Sequence, residues 1–365
     1  MPADRRRTYL AAAVAVLIVI VAAAYLAFGL LTARNSLGCD FLAYHRAAQR
    51  LLTGTPIYDL SIVRTGECGI YQYPPPFVLL ALPFSLLGFE VGRLAWIGFL
   101  VPCFLVGTAL LPVRREIRGV VLLLGVVSWP FIFAVRIGQV GPILYLLFAL
   151  GWRFLDRPGI VGAAAGLGTL VKLQPGLLLG WMVVRREWRA LMAAVAAIAL
   201  GAGVAALVGL GQWLDFATIV RRLSDALTVP ANLSVGATAY QLGVGEQIAT
   251  LLQLASAGLV VGLVALAAVR APRDVGYLVA VVGSQLVSTI LWDHYALILL
   301  LPVAWLLERR QWWAVVVPVS QAWVLLPVMP TAIYPLAFYA VLIGLLLVGW
   351  MRPAAPVAVS RPALA

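Results

Sequence analysis

Runs of about 17–25 apolar residues, the length a helix needs to cross a bilayer core, recur from one end of this chain to the other. They lie near residues 9–30, 93–111, 118–135, 139–154, 188–209, 247–269, 274–291, 295–307, 312–328 and 334–350. In lipid the backbone must satisfy its own hydrogen bonds, and a helix does so within one segment. The chain is 63% hydrophobic and 11% charged, where a soluble domain carries about 25% charge. The expected fold is therefore an all-α integral membrane protein, a multi-span helical bundle forming one domain over residues 1–365. Little chain is left for a separate soluble domain.

Two segments do not read as single spans. Pro74–Gly88 is apolar but short and proline-rich, which suits a re-entrant or interfacial piece. Gly159–Val184 is broken at Lys172-Leu173-Gln174-Pro175 and reads as two short helices in a hairpin. With the hairpin crossing twice and Pro74–Gly88 not crossing, the arginine clusters all fall on one side. The clusters are Arg5–Arg7, Arg114/Arg115/Arg118, Arg153/Arg157, Arg185/Arg186/Arg189, Arg270/Arg273, Arg309/Arg310 and Arg352. Basic loops stay in the cytoplasm, so the expected topology has about 12 spans, both termini inside. Arg5-Arg6-Arg7 before a long apolar run resembles a signal peptide, but no clear cleavage site follows, so it reads as an anchored first span. The net charge of +12 is this orienting arginine, and no nucleic-acid partner is expected.

That topology gathers the polar residues on the non-cytoplasmic face. Asp40 sits two residues past Gly38, near the start of a short helix with Phe41, Tyr44, Ala47, Ala48 and Leu51 along one side. The helix is expected to lie flat on the membrane, apolar face down, with His45 on its solvent face. Asp40 reads either as a helix N-cap or as an acid for chemistry, and the two roles are compatible. The long outer loops, about 33–75 and 210–246, are of the kind that carry function. The second contains another candidate surface helix, with Trp213, Phe216, Ile219 and Val220 beside Arg221, Arg222 and Asp225.

Lys172 is the only lysine. A cation inside an apolar segment costs about 2.5–3.5 kcal/mol on insertion scales, which points to an anionic partner such as a lipid phosphate. The alternative is a lysine that snorkels to the interface. Trp292-Asp293-His294-Tyr295 opens a span: His294 can donate to a phosphate or orient a substrate, or the run can be an aromatic belt. Arg136-Ile137-Gly138-Gln139 offers a guanidinium fork to phosphate, or is an ordinary turn. Tyr71–Pro76 is a rigid aromatic–proline run, able to stack on a sugar or to anchor at headgroups. Cys39 and Cys68 share the outer side and could pair, though nothing in the sequence requires it; Cys103 lies inside a span. No metal-ligand spacing, phosphate-cradling glycine loop or nucleophile elbow is present. ATP and soluble nucleotide sugars are therefore poor substrates, and neither cofactor nor metal is expected.

The ordered set of motifs resembles glycosyltransferase family 87, polyprenol-phosphate-dependent transferases of the GT-C class, with its α-mannosyltransferases of phosphatidylinositol-mannoside synthesis. Carrying the resemblance are Asp40, Tyr44, Ala47-Ala48, Leu52-Thr53-Gly54 and Tyr58, then Tyr73-Pro74-Pro75, Gly138-Gln139 and Lys172–Pro175. Pro230, Asn232 and Ser234 and finally Trp292–His294 complete it. It departs from the family at Val140-Gly141, where asparagine often follows, and at Thr238–Gln241, where many members carry an arginine. The resemblance implies a GT-C-type bundle. It also implies transfer of a mannosyl or arabinofuranosyl unit from a polyprenyl-phosphate donor to a glycolipid or glycan acceptor outside the cell membrane.

A phosphate leaving group needs cations, and a sugar hydroxyl needs a base. Asp40 is the expected base of one inverting displacement, with His294 as the second catalytic candidate. Lys172, Arg136 and Gln139 are the candidates for the donor phosphate. Tyr44, Tyr73, Asn232, Trp292 and Asp293 are the candidates for substrate contact. A transporter or flippase for lipid-linked sugars is the rival class. It would need a polar path reachable from both faces, and the polar residues here gather on one.

Overall fold

The computed structural model describes residues 36–61, 68–206, 209–223, 226–321 and 330–351, besides five isolated helical positions before residue 28. Most of the expected first span, Asp225, and residues 322–328 of the run at 312–328 thus lie outside the described residues.

Every regular element among the described residues is helical. Four helices are long and apolar enough to cross a membrane, Phe89–Leu110, Trp188–Ala206, Glu246–Arg270 and Ile333–Met351. Elsewhere the runs at 139–154 and 274–291 form single shorter helices, Gly141–Arg153 and Arg273–Leu286, and others are divided. The run at 118–135 becomes Arg115–Val127 and Trp129–Ile137, because Ser128 is extended and Pro130 follows it. Proline lacks the N–H that would continue the first helix. The run at 295–307 begins as a 3₁₀ turn, Asp293–Leu299, and continues as the helix Leu300–Glu308.

The apolar segment around Lys172 folds as a hairpin, as its sequence indicates. Helix Pro158–Val171 ends where Lys172 turns extended, at φ −155 and ψ 141. A 3₁₀ turn, Gln174–Gly176, then leads into Leu177–Arg185. Gly162 lies on the backbone of Ala190, Gly166 on that of Ala194, and Leu170 meets Gly201. The register rises together on both helices, so Pro158–Val171 and Trp188–Ala206 run parallel. The helix between them must therefore bring the chain back. Glycines four apart let the two backbones approach this closely.

The helix bearing Asp40 departs from expectation in two ways. It spans Cys39–Leu52, and its N-cap is Gly38, at φ 70, with no side-chain cap. Asp40 is the second helical residue, so it is not the cap. Its apolar face is also covered by protein rather than laid on the membrane. Phe41 and Tyr44 are fully buried among the rings of Phe77, Phe89 and Trp96, with Tyr44 4.9 Å from Phe77 and 5.5 Å from Trp96. His45 is half-buried, its ring 5.6 Å from Phe89. An amphipathic pattern reports that one face is buried, not what buries it.

The second outer-loop helix, Gly211–Leu223, packs on the first loop. Phe216 is buried 6.0 Å from the Tyr58 ring, and the Ile57 N–H donates to Gln212 Oε1 at 3.0 Å.

Candidate active site

A cavity of about 580 Å³ opens where these loops meet the ends of the helices. Asp40, Tyr73, Gln139, Lys172, Trp292, Asp293 and His294 all line it. They come from five separate stretches of the chain.

Asp40 is delivered by the first turn of its helix. Gly38 sets the entry: its left-handed backbone suits glycine, its N–H donates to the Arg136 carbonyl at 2.8 Å, and a side chain there would strike Arg93. The Tyr44 hydroxyl donates to the Tyr73 hydroxyl at 2.9 Å. The Tyr73 hydroxyl in turn points at Asp40 Oδ2 from 3.5 Å. Burial raises the Asp40 carboxyl, while the Lys172 charge and the Tyr73 hydroxyl pull it back, leaving it at about 6. Its charged form predominates at neutral pH, yet it is far more basic than an ordinary carboxylate.

Lys172 stands in the break between two helices, half-buried rather than sealed in lipid. Its ammonium lies 4.0 Å from the Tyr295 ring centre and 5.9 Å from that of Tyr73. Among the described residues it has no carboxylate within ion-pair distance. Aromatic faces hold a cation without neutralising it, so the charge remains available to an anion.

Trp292, Asp293 and His294 are fixed by Tyr334. Its hydroxyl donates to the Trp292 carbonyl at 2.8 Å and accepts from the Ala296 N–H at 3.0 Å. Asp293 accepts from the His294 N–H at 2.9 Å and from the Trp129 indole. His294 is buried, with Nδ1 3.5 Å from Asp293 Oδ1 and Nε2 without a partner among the described residues. Gln139 is buried too, its side-chain carbonyl unpaired. Buried polar atoms are normally paired, and several on residues lining this one cavity, Gln174 Oε1 among them, have no partner among the described residues and suit a hydroxyl-bearing ligand.

Three candidates lie outside the lining. Tyr44 stands behind Tyr73 and reaches the cavity only through that hydroxyl. Arg136 donates to Ser36 Oγ at 2.8 Å, and its carbonyl anchors the Asp40 helix. Asn232 is a fully buried clamp. Its amide donates to the carbonyls of Ala226 and Thr289, and its Oδ1 accepts from the N–H groups of Ser234 and Leu291. Gln174, Ser288 and Thr289 line the cavity without having been singled out. Gln174 could have been found, being inside the Lys172–Pro175 break. Ser288 and Thr289 carried no signal in a run read as a span. The structure also joins Cys39 to Cys68 by a disulfide. Among the described residues no three His, Cys, Asp or Glu side chains group as metal ligands.

The sequence model of glycosyltransferase family 87 matches residues 71–292. The chain belongs to glycosyltransferase family 87. No curated protein and no solved structure matches it. As a family 87 glycosyltransferase it uses a sugar donor and an acceptor, and its apolar helices make it a membrane protein. The matched span holds Tyr73, Gln139, Lys172, Asn232 and Trp292. Asp40 and His294 lie beyond it in sequence and line the same cavity.

Proposed function

We propose that this glycosyltransferase moves a mannosyl unit from a polyprenyl-phosphate donor to a glycolipid or glycan acceptor, on the non-cytoplasmic face of the cell membrane. The observation that carries the reading is that one cavity holds a raised carboxyl, Asp40, and a cation, Lys172, with no ion-pair partner among the described residues, and with Tyr73 beside both. In one displacement the acceptor oxygen bonds to the anomeric carbon as the bond from that carbon to the phosphate oxygen breaks. The bonding electrons leave with the phosphate, and the hydroxyl proton passes to Asp40. Lys172 stabilises the charge growing on the phosphate. His294, with Nδ1 toward Asp293 and Nε2 unpaired among the described residues, is placed to accept from a sugar hydroxyl. The apolar flank of the cavity, with Leu173, Phe216 and Leu233, suits the start of a prenyl chain.

The topology belongs to the same proposal: a single GT-C-type domain, about 12 crossings, with both termini inside. Two observations support it. The arginines assigned to the cytoplasm pair with acids away from the cavity, and a disulfide beside Asp40 suits an oxidising compartment. Membranes containing the protein, given labelled polyprenyl-phosphate mannose, should form a labelled glycolipid absent from control membranes. Use of polyprenyl-phosphate arabinofuranose instead would move the donor to the other sugar. No transfer from either would end the reading. For sidedness, in a background without native cysteines, an impermeant thiol reagent on intact cells should label Thr53→Cys and spare Glu116→Cys; the reverse pattern would overturn the topology.

A further inference from the structure

The wall of the cavity that carries Asp40 is made of two chain segments joined covalently. Cys39, the residue before Asp40, is bonded to Cys68 across 29 positions of sequence. Cys68 opens the segment that runs through Gly69, Ile70 and Gln72 to Tyr73, and these residues line the cavity together with Cys39 and Asp40. The segment lies directly on the Asp40 helix. A side chain on Gly69, whose φ is +88, would meet Arg46 and Leu42. The far end is tied by the Tyr58 hydroxyl donating to the Tyr73 carbonyl at 2.7 Å. Near Asp40 the helix start has no side-chain cap. It is held by backbone hydrogen bonds from Gly38 to Arg136 and from Cys39 to Ser36, by Arg93 donating to the Leu37 carbonyl, by the buried Phe41 ring, and covalently by the disulfide.

We infer that the Cys39–Cys68 disulfide is a positioning element for Asp40: it holds the first helical turn and the Tyr73 segment as one wall, so that the enzyme turns over fully only in its oxidised form. This rests on the reading of Asp40 as the proton acceptor. The contact at stake is the 3.5 Å approach of the Tyr73 hydroxyl to Asp40, which has no other covalent constraint nearby. Misplacing a reacting group by about 1 Å can cost 100-fold in rate. The titratable groups that act on Asp40 are Lys172 and Tyr73, and its own charge acts on Tyr44, Tyr73 and Tyr295. Opening the wall admits water and relieves the burial that raises the carboxyl, so its midpoint falls toward the ordinary range. The chemistry of opening is thiol–disulfide exchange. A dithiol reductant converts the bond to two thiols and is itself oxidised to a cyclic disulfide.

The test compares purified protein in lipid nanodiscs as oxidised enzyme, after dithiol reduction, after reoxidation, and as the Cys39→Ser/Cys68→Ser variant. Polyprenyl-phosphate mannose is the donor probe. Reduction should lower kcat by about tenfold or more, leave the donor KM within twofold, and move the acidic midpoint of the rate profile downward. Reoxidation should restore all three. A disulfide that only braces the fold would lower thermal stability yet leave kcat and the midpoint of folded enzyme unchanged, and that result overturns the inference. A readout independent of turnover is the pH dependence of carbodiimide labelling of Asp40, followed by mass spectrometry. A labelling midpoint equal in oxidised and reduced protein overturns the inference even if no donor is found. A shifted midpoint without any transfer would instead remove the donor assignment and keep the positioning role.

Discussion

The cavity and the arginine-rich end of the helices handle charge in opposite ways. At the arginine-rich end, Glu308, Glu187 and Asp274 are paired. Arg114 donates to Glu308 through both its backbone N–H and its guanidinium, each at 2.9 Å. Glu187 bridges Arg273 at 2.7 Å and Arg185 at 3.5 Å. Asp274 takes the Trp305 indole at 2.6 Å and Arg309 at 3.2 Å. In the cavity the acid and the cation stay outside ion-pair distance among the described residues, with the Tyr73 hydroxyl at the acid and the Tyr73 and Tyr295 rings beside the cation. Paired charges fix helix ends to one another. Held apart, Asp40 and Lys172 each keep a valence for a ligand, and burial makes both more responsive to one.

Asp40→Asn should have the largest effect on this contrast. Asparagine has nearly the same shape and leaves the Tyr73 hydroxyl an acceptor, but it cannot take a proton. Transfer should fall about 100- to 10,000-fold with donor binding retained. The stability consequence has the opposite sign. A carboxyl whose folded value is raised from 3.8 to about 6 favours folding below its unfolded value and loses that contribution as pH rises through about 6. Above pH 6 the neutral amide should therefore melt no lower than wild type. Transfer at near the wild-type rate would make Asp40 a structural acid, and the base would be sought at Asp293.

Lys172→Ala comes next. Losing a charge-assisted bond to phosphate should cost about 1.5–3 kcal/mol, or roughly 10- to 150-fold in kcat/KM for the donor, and Lys172→Arg should recover part of it. Unchanged donor use by folded Lys172→Ala would reduce this residue to a cation resting on Tyr295.

A smaller, graded effect is expected from pH alone. With the Asp40 carboxyl at about 6, transfer should be near its plateau at pH 7.5. It should fall about tenfold per unit below pH 5, as the proton acceptor is titrated away. A flat profile down to pH 5 would mean that proton transfer to this carboxyl is not part of the slow step.

The grouping of Arg114, Arg273 and Arg309 apart from the cavity residues is legible in the sequence, because they cluster in short loops between apolar runs. The break at Lys172 is equally legible, since a lone lysine and a proline inside an apolar run have few explanations. Packing is less so. The periodicity of Phe41, Tyr44, Ala47 and Ala48 marks a buried face, but lipid and an aromatic cluster leave the same pattern. Arg136 and Asn232 look like ligands by residue type, and the structure spends both on backbone and hydroxyl partners. The Cys39–Cys68 bond depends on bringing two distant segments within covalent reach, a distance the sequence does not encode locally.

The smallest expected effect probes the paired end. Arg114 is the more exposed partner of its ion pair, with its side chain 55% accessible against 13% for Glu308. Exposed pairs of this kind contribute about 0–1 kcal/mol, because solvent screens the attraction and ordering a long side chain offsets part of it. Arg114→Gln removes the charge but leaves the backbone N–H bond to Glu308 in place. Thermal stability should fall by no more than about 1 kcal/mol, with transfer within twofold of wild type. The variant is informative because it also deletes one arginine of a basic cluster, while Arg115 and Arg118 remain beside it. If the pair only ties helix ends, stability and transfer should both stay close to wild type. A loss of transfer comparable to that of Lys172→Ala, without loss of folded protein, would mean that charge at this end communicates with the cavity, and the division into a bracing end and a reacting end would not stand.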